Sequence, residues 1–227
     1  GLTMEQAALE VNHWCHEKVS YRPSDGRTSA PLATMRNSIG RCGEESTFTV
    51  SALRAVGIPA RQVYCPRWAH TDDNHAWVEV WVDGKWRFMG ACEPEATLDK
   101  GWFNWAASRA MLIRGYDYEG HEIATTATYA PTKTLRVRVV DAQGAPIANA
   151  TVDFRLYNYS EFYPLSTVTT DAEGRAAFTT GYGDLQVWVS AKGKYGVKKA
   201  DGYTTELTIT PCYQPGSAWV EEYDWHV

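Results

Sequence analysis

The sequence predicts an α+β fold, in which helices pack on an antiparallel sheet, followed by an all-β sandwich. The α+β part is indicated by apolar residues at helical spacing over residues 3–19 and again after Cys42, and by an Asp83-Gly84 turn between two strand-like runs. The sandwich is indicated by the change to short alternating strands and polar turns after Pro131. The predicted domain ranges are 1–130, 131–212 and, for a C-terminal tail or the start of a further segment, 213–227.

Length and charge limit the classes of function. A chain of 227 residues with 44% hydrophobic content is long enough for one or two domains with their own cores. The net charge of −5, without a run of Lys or Arg, argues against a nucleic-acid partner. No apolar run reaches the roughly 18 to 20 residues of a membrane-spanning helix, so no such segment is expected. Because the chain opens on Gly1 rather than Met, an export signal could have been trimmed away.

Cysteine spacing and turn composition bear on cofactors. The odd number of cysteines, their wide spacing and the lack of a Cys-x-x-Cys pair predict neither a disulfide framework nor a zinc knuckle. The turns at 141–144 and 171–174 carry Asp and Gly, but they lack the alternating carboxylates of a calcium loop. We therefore expect no metal and no other cofactor. The five cysteines are Cys15, Cys42, Cys65, Cys92 and Cys212.

The first domain has recognisable element boundaries. Thr3 and Gln6 form a predicted capping box at the start of the first helix. Residues 20–40 are expected to be irregular, and the helix that opens at Cys42 should end before Gly57. Residues 95–130 are predicted to wrap the first domain's core, with a substrate-groove wall as the alternative. Strands are predicted at 60–65, 75–82 and 85–91, and in the sandwich at 135–140, 150–156, 166–170, 175–179, 184–191 and 204–210.

The position of Cys42 predicts a reactive thiol. At a helix N-terminus the thiol meets unpaired backbone N–H groups and the positive end of the helix dipole. Both favour thiolate over thiol, so a lowered pKa is expected for Cys42. Glu44 and Glu45, in the first turn, are expected to complement the dipole.

Three stretches resemble the transglutaminase-like superfamily: Gly40 to Glu44, Leu53 to Arg61, and Asn74 to Val80. The resemblance implies a papain-like core with Cys, His and Asp in that chain order. Cys42 then corresponds to the nucleophile and His75, at the head of a His-Ala-Trp strand, to the base. In the second domain, the runs from Val139 to Ile147 and from Thr170 to Ala176 resemble the carboxypeptidase regulatory-like (prealbumin-like) β-sandwich.

The third catalytic member departs from the superfamily pattern. Glu93, followed by Pro94, stands where the superfamily has Asp, so the role passes to Glu93. If Asp83-Gly84 is a two-residue loop, however, Cys92 rather than Glu93 lies opposite His75. Glu93 then reaches the imidazole only through a bulge, for example at Gly90, or through a bend before Pro94. Asp73 is the alternative orienter, and a Cys-His dyad is the outcome if neither carboxylate reaches.

Acyl attack also requires N–H donors for the oxyanion. The backbone N–H of Cys42 is the first candidate donor. A second donor from upstream could come from Trp14 or Asn37, although Trp14 also fits the buried stripe of the first helix.

Together these features predict a thiol-dependent amide-bond enzyme that works through an acyl-enzyme, as a peptidase or amidase or as a protein-glutamine acyltransferase. Hydrolysis is the favoured outcome. The alternative is a catalytically silent transglutaminase-like scaffold that acts as a binding or surface-assembly module. The expected substrate is a peptide, glycopeptide or cell-wall amide, and the sandwich is expected to contact protein or carbohydrate. Because such sandwiches accompany exported proteins, we expect a secreted, periplasmic or cell-surface bacterial protein.

Overall fold

The computed structural model describes residues 1–24, 26 and 28–216, and the contacts divide the chain into two compact units. The units are not single runs of sequence, because two short early segments cluster with the second unit. The predicted domain ranges stay predictions beside this contact-based division, and the predicted tail lies outside the described residues from residue 217 on. The first unit consists of Gly1–Cys65, Asn74–Trp105 and Ile113–Thr125, and the second of Pro66–Asp73, Ala106–Leu112 and the chain from Thr126.

The first helix begins where the sequence predicts. Helix α1 spans Met4–Lys18, with Thr3 as its N-cap. The Thr3 hydroxyl accepts the Gln6 backbone N–H at 3.2 Å, and the Gln6 side chain accepts the Thr3 N–H at 2.9 Å. This reciprocal pair satisfies two N–H groups that the helix itself leaves open, so the predicted capping box is confirmed.

The segment between α1 and Cys42 is more regular than predicted. Two short parallel strands, β1 at Ser20–Tyr21 and β2 at Ile39–Gly40, enclose a helix α2 at Pro31–Asn37. Pro31 occupies the first turn of α2, where a missing N–H costs nothing and the fixed φ suits a helix. The prediction of irregular chain is therefore wrong for this segment, because this proline begins a helix.

Helix α3 spans Cys42–Ala55, as predicted, and it packs on a five-stranded antiparallel sheet. Gly57 follows in the left-handed region with φ of 84°, which ends the helix. The core under α3 contains Leu53 from the helix with Val78 and Val80 from the sheet. The strands are β3 Ala60–Cys65, β4 His75–Val82, β5 Lys85–Met89, β6 Arg114–Tyr116 and β7 Glu122–Ala124, in the order β5-β4-β3-β6-β7.

The hairpin between β4 and β5 has the predicted two-residue loop. Val82 pairs with Lys85. In the loop between them, Asp83 has a φ of 50° and Gly84 a φ of 81°. Positive φ at both positions is what a type I′ turn requires. The predicted register is confirmed, and it continues unbroken to the end of β5.

Short elements interrupt residues 95–130. Helix α4 is Asn104–Ala107 and helix α5 is Thr126–Tyr129, and β6 and β7 lie between them. Around α4, Phe103, Ala106 and Ala107 are buried, whereas Trp102 and Trp105 are exposed. The wrapping of the first domain's core, and its alternative of a substrate-groove wall, stay predictions. No helix among the described residues is long and apolar enough to cross a membrane.

The second unit contains two sheets that share one hydrophobic core. Val137 and Phe178 from one sheet and Phe154 and Val187 from the other belong to a single buried cluster, so the sheets pack face to face as a sandwich. One strand pair is parallel, which the prediction of an antiparallel sandwich did not include. The four-stranded sheet is β10 Glu161–Thr169, β9 Thr151–Asn158, β12 Leu185–Ala191 and β13 Lys194–Ala200, and the three-stranded sheet is β11 Arg175–Thr180, β8 Lys133–Val139 and β14 Glu206–Ile209.

Strand β13 was not predicted. Its residues opposite Val189 and Val187 of β12 are Gly196 and Lys198, and Lys198 is exposed. A glycine and a lysine at these positions give no apolar alternation, so the period-two pattern that marks the other strands is missing here.

Candidate active site

Helix α3 begins in a network that fixes the position of Cys42. Arg41 is the N-cap, and its backbone N–H donates to the Glu44 carboxylate at 3.2 Å. The Arg41 guanidinium donates to the Ser24 carbonyl at 2.9 Å. From the sheet side, the Gln62 amide donates to the Ser46 hydroxyl at 2.6 Å, and that hydroxyl donates to the Cys42 carbonyl, also at 2.6 Å. The first turn of α3 is therefore held by both the preceding loop and β3.

The Cys42 sulfur lies beside the start of strand β4. It receives backbone N–H groups from Gly43 and from Ala76, the residue that follows His75. These hydrogen bonds and the nearby Arg41 charge act to lower the pKa of the thiol, but burial outweighs them and raises its pKa. The predicted lowering is therefore wrong in sign, because the half-buried side chain loses more hydration than the helix terminus replaces.

The His75 imidazole is buried among aromatic rings. Its side chain is 6% exposed, and its ring centroid lies 5.7 Å from Trp77, 4.6 Å from Trp102 and 5.0 Å from Phe103. Burial lowers the pKa of His75 to about 4, because the charged imidazolium is the form that loses hydration. At neutral pH the imidazole is neutral and can accept a proton.

Cys42 and His75 are each displaced toward the neutral form. A raised thiol pKa and a lowered imidazole pKa both disfavour the thiolate-imidazolium ion pair.

Glu93 lies in a bend rather than after a bulge. Strand β5 keeps its register to the pair Val78–Met89, and the chain then turns, with Cys92 at φ of 56° and the Glu93 N–H directed to the Gly90 carbonyl at 3.4 Å. Of the two predicted routes, the structure shows the bend before Pro94.

The Glu93 carboxylate contacts an indole. Trp102 Nε1–H donates to the two carboxylate oxygens of Glu93 at 3.0 and 3.1 Å. The Trp102 ring is the one whose centroid lies 4.6 Å from His75. The structure therefore brings Glu93 to Trp102 and Trp102 to His75, and direct orientation of the imidazole by Glu93 stays a prediction.

Sequence reasoning missed Asn12, which holds the bend. Its side chain is fully buried in α1, and it donates to the Gly90 carbonyl at 2.8 Å and to the Glu93 carbonyl at 3.3 Å. Its oxygen accepts the Cys92 N–H at 2.9 Å. The sequence did contain a signal for this role: the Asn12 amide lies one turn after Ala8 and next to Val11, in an otherwise apolar stripe. A buried amide needs polar partners.

Glu45 is a second residue whose state the sequence did not reveal. It is buried, and burial, followed by the charges of Glu93 and Glu44, raises its pKa to about 8. Glu45 is therefore mostly protonated at neutral pH and does not serve the helix dipole as predicted. Glu44 does cap the helix, since its carboxylate accepts the Arg41 N–H.

The other predicted participants lie in varied settings. Trp14 is 42% exposed and contacts Phe48 at 5.8 Å, so its predicted burial is wrong. Asn37 is exposed at the end of α2. Asp73 clusters with the second unit. The roles of Trp14 or Asn37 as the second oxyanion donor, and of Asp73 as an orienter, stay predictions.

One group of side chains away from this site could hold a metal ion. Ligand atoms of Asp117, Glu119 and His121 lie within 4.8 Å of one another. The Asp117 carboxylate already accepts the backbone N–H groups of Glu119 and His121 at 2.9 and 2.8 Å. These bonds are those of an Asp-centred turn, which accounts for the cluster.

Comparisons with known proteins agree with the Cys42 and His75 motifs. Residues 2–91, less than half of the chain, match the family model of the Transglutaminase-like superfamily. An uncharacterized protein of Mycobacterium leprae (strain TN) is 26% identical over 104 residues, which cover 40% of this chain and 37% of that protein. The chain therefore spans little more than a third of that relative. The match to the family model therefore covers the stretch that contains Cys42 and His75, and it ends before Glu93.

Two solved structures show weaker similarity. A crystal structure of a TGase is 17% identical, with a TM-score of 0.35 over 40% of this chain and 27% of that one. A catechol 1,2-dioxygenase from Acinetobacter radioresistens is 14% identical, with a TM-score of 0.32 over 44% of this chain and 58% of that one. TM-scores this low carry no argument about this chain. The resemblance of the second unit to carboxypeptidase regulatory-like sandwiches stays a prediction.

Proposed function

We propose that this chain is a thiol-dependent amide-bond enzyme in which Cys42 is the nucleophile, His75 the proton carrier and Glu93 the third member. The proposal rests above all on one contact, the hydrogen bond from the Ala76 N–H to the Cys42 sulfur, which puts the thiol at the strand position next to His75. The match of residues 2–91 to a superfamily whose members are often cysteine enzymes supports it.

The proposed reaction has two halves. The Cys42 thiol gives its proton to the neutral His75 as the sulfur attacks the amide carbonyl, and the imidazolium then protonates the leaving amine. This leaves a thioester. A water molecule, deprotonated by His75, attacks the thioester and releases the carboxylic acid and the free thiol; an amine in place of water yields a new amide.

We propose hydrolysis as the first outcome and acyl transfer to an amine as the second. The proposed substrates are peptide, glycopeptide and cell-wall amides. Adding a primary amine to the reaction separates the two outcomes, because a transferase forms the new amide at the expense of the acid while a hydrolase gives the acid alone.

Mass spectrometry of the acylated protein tests the proposal. The chain is incubated with a library of these amides and quenched in acid, and the adduct is located by peptide mapping. We expect acylation at Cys42, loss of all turnover in Cys42→Ala, and unchanged turnover in Cys212→Ala. Cys212 is the matched control because it is a free and exposed thiol. Adducts on Cys212 but not on Cys42 would contradict the proposal.

The silent-scaffold alternative is favoured by one observation, the raised pKa of Cys42. A thiol that stays protonated is a weak nucleophile unless a base acts on it. On this alternative the chain binds the same amides unchanged, and Cys42→Ala binds them as tightly as the native chain. Calorimetric titration of both proteins with the library decides between the two.

We also propose that the protein is exported and that its sandwich contacts protein or carbohydrate. The support is the resemblance of the sandwich to accessory domains of exported proteins. Fractionation of cells that make the full-length gene product tests the location, and recovery only from the cytosol would contradict it.

A further inference from the structure

The carboxylate of Glu93 occupies the space that a side chain at Gly90 would need. A Cβ at Gly90 would collide with Glu93 Oε2 and would lie 3.0 Å from Glu93 Cβ. Gly90 has an ordinary negative φ, so the glycine is required here by space rather than by backbone conformation. The bend therefore folds the carboxylate back over its own first residue.

The backbone of the bend is fixed from helix α1. Asn12 uses both its amide donor and its carbonyl acceptor on the bend, and His16 Nδ1 lies 3.0 Å from the Cys92 carbonyl. Cys92 holds a left-handed φ that a side chain rarely adopts. Such a conformation persists only where the surroundings determine it, and Asn12 supplies that restraint.

The restrained carboxylate in turn holds Trp102. This indole is 65% exposed, so little packing fixes it. Its Nε1–H is bound by both Glu93 oxygens, while its ring leans on His75 with a 55° tilt and meets the buried Phe103 ring edge-on at 5.7 Å. Glu93 and His75 are thus joined by one indole, anchored at its N–H edge and resting on the imidazole.

We propose that Glu93 positions His75 through Trp102, and that Asn12 and Gly90 are the positioning residues that keep the carboxylate in place. This inference rests on the proposed function, since it concerns the imidazole assigned there as the proton carrier. An anchored indole restricts the imidazole ring and excludes water from it. A released indole does neither.

Other ionisable groups surround this corner of the unit. Glu44 and Glu45 face it from α3, together with Cys42, and Cys15 faces it from α1. Cys92 and Glu95 adjoin Glu93 along the chain, and each of Glu45, Glu95 and Cys15 influences a neighbour's titration. The experiment therefore measures every variant over the same pH series, so that the titration of these surrounding groups contributes equally to all of them.

The first measurement is structural and independent of catalysis. In ¹⁵N-labelled protein, the Trp102 indole resonance, assigned with Trp102→Phe, should shift in Glu93→Gln and in Gly90→Ala. Trp81→Phe is the matched control, because Trp81 is a partly exposed indole that contacts Trp86 instead. A Trp102 indole resonance that keeps the same chemical shift in both variants would overturn the inference.

The second measurement is the titration of the His75 imidazole by NMR. Trp102→Phe keeps a ring but removes the N–H donor. The three atoms nearest to a Cβ at Gly90 all belong to the Glu93 side chain, so Gly90→Ala displaces that side chain, and both variants should fold. We expect the His75 titration to move up by about one pH unit or more in each, as water reaches the ring. The double variant should move no further, because both changes break one chain of contacts.

The kinetic counterpart is the rate of Cys42 acylation, expected to fall by about tenfold in each single variant and by no more in the double. Unchanged His75 titration, or shifts that add in the double variant, would overturn the inference. If the native chain forms no Cys42 adduct, the proposed function fails, while the indole and imidazole resonances still decide whether Glu93 acts on His75 through Trp102.

Discussion

The two compact units differ in what they bury. In the first unit the interior includes thiols, carboxyls and an imidazole, and the largest pKa displacements among the described residues all occur there, at Cys15, Glu45, His75 and Cys92. In the second unit the centre of the sandwich is one continuous apolar cluster. Burial disfavours the charged form of each of these four groups, so the first unit keeps them neutral in its interior.

The second unit pairs its buried polar groups, as the first unit does where Glu79 meets Arg61 at 2.6 Å. Asp184 is 2% exposed, and its carboxylate lies 2.7 Å from the Lys199 ammonium. Opposite charges at this distance compensate much of each other's lost hydration. The Thr170 hydroxyl accepts the Ala150 N–H and donates to the Ile147 carbonyl. Burial there is matched by partners of complementary kind.

The difference indicates where chemistry is to be sought. Strongly displaced pKa values collect at functional sites, because catalysis needs groups whose proton affinity departs from that in water. In the first unit the displaced groups include His75, at the head of β4, and Glu45, in the first turn of α3 after Cys42. The sandwich has the pattern of a stable support, and its core should respond to substitution as ordinary apolar packing does.

The largest effect tests that contrast in the sandwich. Phe154 is fully buried and its ring lies 5.1 Å from Phe178. Phe154→Ala should destabilise the second unit by about 3 to 5 kcal/mol through lost transfer energy and a cavity. Hydrogen exchange of amides in β8 and β9 measures it, with exposed Tyr157→Ala as the control.

The loss should be equal at pH 5.5 and pH 8.5, because nothing that titrates is removed. A strongly pH-dependent loss would contradict the view that the sandwich core is electrostatically neutral, and it would weaken the contrast between the units.

The start of α3, its end near Gly57 and the hairpin register could all be predicted from sequence. Each is set by residues close together in the chain: Gly57 adopts the left-handed φ, and Asp83-Gly84 suits a type I′ turn. The placement of Cys42 and His75 in one domain came from motif spacing, which the family match over residues 2–91 supports.

The details of the site depend on contacts that are distant in sequence. Asn12 binds residues 78 to 81 positions further on, and Trp102 binds Glu93 only because of a bend that α1 restrains. The Cys42 prediction failed for the same reason. The helix terminus is a local feature, whereas the burial that overrides it arises from tertiary packing.

The next effect concerns the acid side of the pH–rate profile. Because burial lowers the pKa of His75 to about 4, the imidazole is the unprotonated base at any pH above that value. The rate of Cys42 acylation should therefore hold from pH 7 to pH 5 and fall only as the pH passes through about 4. An exposed histidine would lose activity from about pH 6.5.

Measurement of kcat/KM between pH 3.5 and pH 8 checks this prediction. Trp102→Phe serves as the comparison, since its kcat/KM should begin to fall at a higher pH than that of the native chain. A native acid limb near pH 6.5 would show that water reaches the imidazole, and the first unit would then resemble the second in its electrostatics.

The smallest effect concerns Glu45 and has the opposite pH dependence. Its pKa is raised to about 8 in the folded chain and is about 4.5 when unfolded. Between these values the folded state binds more protons, so stability falls as the pH rises from 4.5 through 8. Glu45→Gln, which is neutral at every pH, should leave stability unchanged at pH 4.5 and raise it by roughly 2 kcal/mol at pH 8.5.

Urea unfolding followed by tryptophan fluorescence at the two pH values measures the gain, with Glu10→Gln, an exposed glutamate of α1, as the control. The control should change little at either pH. If Glu45→Gln instead destabilises at pH 8.5, the carboxylate form has favourable partners in the folded state. Glu45 would then be a paired charge, and the first unit would bury its ionisable groups in the same way as the sandwich buries Asp184.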